Sequence, residues 1–168
     1  NQELYIRQAV EAALAQDYSP LEIILSDDCS TDSTFNYIKS LVSHYSGPHE
    51  VVLNRNPVNL GLAQHFNELV SKARGEVVVV AAGDDISLPR RVSKTVDLFR
   101  EHPGTSVICF TDSVIDADGQ AVSKSGGVPQ SESRVVSLKD YISGRVRHLS
   151  GASRGFRKNV YEVFGDLN

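Results

Sequence analysis

Two pairs of adjacent aspartates, Asp27-Asp28 and Asp84-Asp85, are the residues best placed to do chemistry. Each pair closely follows an apolar run, Leu21 to Ser26 (LEIILS) in one case and Glu76 to Ala82 (EVVVVAA) in the other. Crowded carboxylates repel, so such a cluster usually gathers around a cation. Oxygen-only donors suit Mg2+ or Mn2+, and Mg2+ is typically held by one or two carboxylates plus substrate phosphates. The pattern therefore points to a phosphate-bearing ligand. The competing explanation is helix capping, since Asp, Ser, Thr and Asn all favour the position before a helix. For either pair alone, capping is the better explanation. Two pairs at two strand ends bring the two explanations level, because acidic clusters concentrate at sites.

Little else in the chain competes. The histidines at 44, 49, 65, 102 and 148 show no zinc spacing and read as surface or core fillers. Cys29 and Cys109 make no disulfide framework and read as small buried hydrophobes. Neither GxGxxG nor GxxxxGK[ST] occurs, so the usual dinucleotide and P-loop fingerprints are missing. Asn59 and Gly61 read as loop and cap residues. Arg90-Arg91 reads as a solvated helix face rather than a phosphate clamp.

The elements that must position these carboxylates alternate between helix and strand. Tyr5, Ile6, Ala9, Val10, Ala13 and Leu14 place a helix over residues 2–16. A strand over Leu21 to Ser26 leads into the first acidic pair, and residues 27–32 are rich in caps for a second helix carrying Phe35, Ile38, Leu41, Val42 and Tyr45. Glu50 to Arg55 is a second strand. After the loop Asn56 to Gly61, a third helix turns Ala63, Phe66, Leu69, Val70 and Ala73 inward. Glu76 to Ala82 is apolar on both faces and is expected to be central in a covered sheet. Ser87 is the expected cap, and Pro89 an early residue, of a fourth helix. A strand over Ser106 to Thr111, a hairpin turn at Asp116 to Gly119, a mobile loop from Ser123 to Ser137 and short helices at Leu138 to Ser143 and Lys158 to Phe164 complete the pattern. Alternation of this kind implies an α/β domain with a mostly parallel sheet. In such sheets ligands bind beyond the carboxyl ends of the strands, where both acidic pairs would lie.

The 168 residues make about one domain's worth, with 40% hydrophobic and 23% charged residues. Seventeen Lys and Arg against 21 Asp and Glu give a net charge of −4, which argues against a nucleic-acid binder. No apolar run approaches the roughly 20 residues of a membrane helix. With no signal-peptide pattern, no basic anchor cluster and two unpaired cysteines, a reducing, cytoplasmic setting is the default expectation. The chain starts at Asn1 and contains no Met, so a preceding segment is expected.

Residues Glu22 to Thr34 (EIILSDDCSTDST) resemble the EIIxxDDxSxDxT segment of family 2 glycosyltransferases. Tyr5-Ile6, Gln16 to Tyr18, Asn59 to Leu62 with Asn67, and Ala82 to Arg91 (AGDDISLPRR) fit the same family in the same order. The resemblance is good over residues 1–115 and weaker through Gly151 to Gly165. It implies a GT-A (Rossmann-like) fold, a nucleotide-diphosphate sugar donor and Mn2+ or Mg2+. Residues 1–168 would form a single incomplete domain, with 1–115 binding the nucleotide sugar and 116–168 beginning the acceptor side. Carried over by position, Asp28, with Asp27 beside it, meets the nucleotide base; Asp84 lies near the ribose and diphosphate; Asp85, with Asp84, holds the metal. The implied activity is inverting transfer from a nucleotide-diphosphate sugar, with UDP the expected nucleotide, to a saccharide or lipid-linked acceptor in surface polysaccharide assembly. That places the protein in the cytoplasm or at the inner face of the membrane, with peripheral association through other regions left open. Relative to the family pattern, the first strand and the C-terminal part are absent. The catalytic base is expected beyond Asn168, so no base is assigned and the chain by itself is expected to be inactive. One alternative is a response-regulator receiver with Asp27-Asp28 as acidic pair, Asp84 as phosphoacceptor, and Thr111 and Lys124 completing the set. Another is a non-catalytic nucleotide-sugar-binding domain.

Overall fold

The computed structural model describes residues 1–117, 119–122, 136–137, 139–140, 143 and 153–167. In chain order the elements are α1 (Ile6–Leu14), β1 (Glu22–Asp27), α2 (Thr34–Ser43), β2 (Glu50–Arg55), α3 (Leu62–Lys72), β3 (Val77–Val79), α4 (Arg91–Glu101), β4 (Val107–Cys109), β5 (Arg154–Arg157) and α5 (Asn159–Phe164). The expected mobile loop at 123–137 falls almost wholly outside the described residues, as do Lys124 and half of the helix expected at 138–143.

The first half is built as its patterning requires. β1 and β2 pair in parallel, from Glu22 opposite Glu50 to Asp27 opposite Arg55. The apolar stripes of α1 and α2 close over this pair: Ile6, Val10 and Ile38 are buried together, with Leu14, Leu25, Leu41 and Val42 packed against them. Burying an aliphatic side chain of this size contributes about 1.5–3 kcal/mol. α1 is shorter than the expected residues 2–16, because residues 1–3 are tied to residues 30–34 instead. Thr31 N donates to Asn1 Oδ1, Gln2 N to Thr34 Oγ1 and Glu3 N to Asp32 Oδ2.

The second half differs from expectation. β5 lies between β3 and β4 and is antiparallel to both, so β3 and β4 run in the same direction. β5 was not foreseen, because RGFR offers only one large apolar residue to a pattern search. The seven-residue strand expected at Glu76 to Ala82 shrinks to Val77–Val79, all half-buried. Among the described strands β3 pairs with β5 alone, so it is not central in a covered sheet. α4 packs close to it. Thr95 of α4 is completely buried, and a Cβ on Gly155 of β5 would come within 2.6 Å of its methyl. Only glycine allows that approach. Phe66, Phe156 and Tyr161 join α3, β5 and α5, with ring centroids 5.7–6.3 Å apart. The expected hairpin turn is present: Ile115 bridges Ala121, and Gly119 takes a φ of 78°. Neither cysteine is fully buried, contrary to expectation, and Cys29 adopts a φ of 60° in the turn after β1. No helix among the described residues is long and apolar enough to cross a membrane.

Candidate functional site

The two acidic turns are joined through the start of the chain. Gln2 donates from its backbone N to Thr34 Oγ1 (2.7 Å), beside the turn after β1, and from its side chain to Asp84 Oδ2 (3.3 Å). Gly83 closes the approach, since a Cβ there would press on Ile6 and Gln2 at 3.3–3.4 Å. The expectation that both pairs share the edge of one sheet is not met, because β1 and β3 belong to separate sheets; Gln2 links the two turns instead.

The turn after β1 is electrostatically complete. The Asp27 side chain is 1% exposed and accepts from Ser30 N (3.0 Å), with Arg55 Nε at 3.3 Å. Arg55 also donates to Ser30 O and stacks over Phe35. Asp27 was expected beside Asp28 at the nucleotide. Its carboxylate is buried and holds the turn together. Asp28 points the other way. Oδ1 accepts from Asn56 Nδ2 (2.8 Å) and Leu60 N (3.0 Å), and Oδ2 accepts from Gly61 N (2.9 Å). Burial pushes the Asp28 pKa up, but the Leu60 N–H, the Asn56 amide, the nearby His65 and the Gly61 N–H outweigh it and hold the pKa below the usual range. A carboxylate offers about four lone-pair sites, so three donors leave one acceptor position on Oδ2. The capping explanation is correct one turn later, where Asp32 Oδ1 accepts from Thr34 N and Oγ1 at the start of α2.

Asn56 and His65 belong to this network, although the sequence singled out neither. Asn56 is 4% exposed; its amide nitrogen donates to Asp28 Oδ1 and lies against His65 Nδ1, both at 2.8 Å. His65 Nδ1 thus sits against both the Asn56 amide and, at 3.7 Å, Asp28 Oδ1. Only its place at i+4 from Gly61 on α3 could have signalled this. Asn59 and Gly61 behave as expected: Asn59 Oδ1 accepts from Gly61 N, and Gly61 precedes α3 with a φ of 77°.

The turn after β3 is electrostatically unbalanced. Asp84 is exposed and Asp85 half-buried. Burial raises the Asp85 pKa, Asp84 and then Asp112 raise it further, and Arg91 offsets only part of this. Arg91 corrects the solvated-face reading. Its guanidinium turns inward, donating to Ser87 Oγ (2.7 Å) and to Val80 O. Its neighbour Arg90 is solvated as expected. Ser87 was expected to cap α4, but its hydroxyl meets Arg91 instead, and α4 begins two residues after Pro89.

Among the described residues no group of three or more His, Cys, Asp or Glu side chains converges as a complete metal cage. The donor chemistry still fits a divalent cation that substrate phosphates complete, which needs only one or two carboxylates. Mutually repelling carboxylates at Asp84, Asp85 and Asp112 are what such an ion would relieve.

The family described as Glycosyl transferase family 2 matches residues 1–165. A Bacillus subtilis (strain 168) protein named "Putative glycosyltransferase EpsE" is 35% identical over 117 residues, covering 67% of this chain and 41% of the relative. The solved mannosyltransferase PcManGT of Pyrobaculum calidifontis, in complex with GDP-Man and Mn2+, superimposes with a TM-score of 0.71 at 19% identity, over 100% of this chain and 44% of that one. S. aureus TarS 1-349 in complex with UDP gives a TM-score of 0.68 at 21% identity, over 97% of this chain and 46% of that one. The chain thus spans less than half the length of each of these three proteins.

Proposed function

The chain belongs to glycosyl transferase family 2 and has the family's α/β architecture of GT-A type; from that premise we propose that it forms the donor-binding part of a glycosyltransferase using a nucleotide-diphosphate sugar. The observation that carries this reading is the bridging of the two acidic turns by Gln2, which sets an acceptor-rich turn beside an unbalanced one.

The residues divide the work by their surroundings. Asp28, held rigid by its three donors, keeps one acceptor position for an N–H of the nucleotide base. Asp84 lies toward the ribose and diphosphate, and Asp85 with Asp84 would hold Mn2+ or Mg2+. A bound divalent cation supplies charge neutralisation to the leaving diphosphate. The transfer itself is a single displacement with inversion. The acceptor hydroxyl oxygen bonds to the anomeric carbon, the bond from that carbon to the diphosphate oxygen breaks, and the hydroxyl proton passes to a base. None of the carboxylates described above is assigned as that base. A saccharide or lipid-linked molecule is the acceptor class. The receiver alternative loses its support, because the family match covers nearly the whole chain and β5 enters the second sheet antiparallel.

The test is a thermal-shift screen of UDP, GDP and dTDP with and without Mn2+. A ligand at 100 times its Kd stabilises the folded state by about 2.7 kcal/mol. A shift with at least one nucleotide that grows on adding Mn2+ is expected. No shift with any of the three would sink the reading.

A further inference from the structure

Gln16 is a buried glutamine just after α1, 7% exposed, and far in sequence from the Asp84-Asp85 turn. Burying an uncharged amide costs free energy unless its hydrogen bonds are made. Here all are made. Nε2 donates to Ala12 O and to Leu88 O, both at 3.0 Å. Oε1 accepts from Val92 N at 3.0 Å. The next residue adds a backbone bond, Asp17 N to Pro89 O at 3.0 Å.

These bonds fall on one segment. The first four N–H groups of a helix have no partner within it. Arg90, at the cap position of α4, makes no side-chain capping bond. Gln16 therefore supplies from another element the acceptor that α4 lacks. It also fixes the Leu88 carbonyl just upstream. On the other side of the loop, Arg91 ties Ser87 back to the Val80 carbonyl after β3. Between these anchors run residues 81–87, which carry Asp84 and Asp85 and contain no helix or strand. An exposed loop of that kind takes its geometry from its ends.

We infer that Gln16 is a positioning residue that sets the Asp84-Asp85 turn for cation binding, by clamping residues 88–92 to the end of α1. The inference rests on the reading of that turn as a metal and nucleotide site. It adds a specific demand: one side chain must donate to one carbonyl of the loop and accept from one N–H of α4. Misplacement of reacting groups by about 1 Å can cost on the order of 100-fold.

The experiment compares the parent protein with Gln16→Glu and Gln16→Met. Glutamate keeps the length but sets a carboxylate against two carbonyls, and methionine keeps the length with no strong hydrogen bond. Nucleoside diphosphate binding is titrated with and without Mn2+, and amide hydrogen exchange of residues 84–92 is followed. Both variants should lose about tenfold or more in apparent Mn2+ affinity, while metal-free nucleotide binding stays within about twofold. Exchange at Val92 should quicken in both. A merely structural role would lower both kinds of binding alike or neither. Folded variants with parental Mn2+ dependence overturn the inference and leave the functional reading standing. A parent protein with no Mn2+-dependent binding overturns that reading and the inference with it. If both variants fail to fold, exchange in the parent decides: protection at Val92 that rises together with that of residues 84–88 on adding Mn2+ and nucleotide supports the clamp, and independent exchange overturns it.

Discussion

The segments after β1 and after β3 each carry two adjacent aspartates, yet their surroundings treat the charge in opposite ways. At Asp27-Asp28 one Asp27 oxygen meets Ser30 N and the Arg55 guanidinium, both Asp28 oxygens meet N–H donors, and the Asp28 pKa falls. At Asp84-Asp85 the pair faces a third carboxylate, and the Asp85 pKa rises. One turn is complete without a ligand and the other gains from one. A static, satisfied cluster suits recognition of a neutral group such as a base. An unsatisfied cluster suits a cation. The same dipeptide can therefore serve two functions, decided by what the chain brings opposite it.

The sharpest way to break this contrast is to neutralise one acid in each turn and follow metal dependence. Asp85→Asn should remove the Mn2+ enhancement of nucleotide binding, on the order of 100-fold at saturating metal. It should also raise Tm slightly in the absence of metal, since it removes a carboxylate destabilised by burial and by Asp84 and Asp112. Isothermal titration with and without Mn2+, beside a thermal melt, measures both. Retained Mn2+ dependence would move the cation away from this turn.

Asp27→Ala should act on stability and leave metal dependence alone. The loss strands Ser30 N in a partly buried place and leaves Arg55 without its carboxylate. A cost of about 1–3 kcal/mol is expected, toward the lower end because Arg55 is 44% exposed. Urea denaturation gives the number. A loss of Mn2+ dependence in a folded Asp27→Ala protein would show that the two turns are not separable.

Much of this contrast was legible in the residues, and the rest was hidden for physical reasons. The strands and helices from α1 to α4 are marked by apolar stripes and by Gly and Pro, and those of the first half lie within a few residues of expectation. The acidic pairs were visible because strand-end carboxylates are conspicuous. What stayed hidden was everything fixed by long-range pairing. β5 reaches β3 across more than 70 residues. Arg91 looks like half of a charged pair on a helix face until its inward hydrogen bonds are known. Asp27 is buried and its neighbour Asp28 half-buried, with different partners brought from residues 55–61. Gln16 and Asn56 are buried amides, a residue type whose role depends wholly on partners distant in sequence.

Asp28→Asn sharpens the comparison from within the first turn. The amide retains one acceptor oxygen, while the three donors from Asn56, Leu60 and Gly61 remain. At least one donor must lose its partner, and the new amide hydrogens face existing N–H groups. A loss of about 1 kcal/mol or more is expected in urea melts. Weaker nucleotide binding should accompany it, equally with and without Mn2+. A loss confined to the Mn2+ condition would mean that Asp28 and Asp85 share one ligand group rather than two.

The smallest effect, and the finest probe, is pH. The Asp28 pKa is lowered by folding, so its carboxylate contributes stability above the ordinary aspartate value of about 3.9. That contribution is lost as pH falls through that value toward the folded one. The Asp85 pKa is raised by folding, so the sign reverses. Its carboxylate costs nothing well below about pH 3.9, and the cost grows as pH rises toward the folded pKa and is complete above it. In metal-free melts, the Tm of Asp28→Asn should lie below the parent's near pH 7, and the gap should narrow toward pH 3. The Tm of Asp85→Asn should lie above the parent's near pH 7, and that gap should also narrow toward pH 3. Both groups are partly solvated, so the differences are a few degrees at most. Adding Mn2+ with nucleotide should invert only the second comparison, because the cation competes with the proton for Asp85, and its binding releases protons in mildly acidic buffer. If instead the Asp85→Asn gap is negative near pH 7 without metal, the turn after β3 is already balanced by the chain itself, and the contrast between the two turns fails.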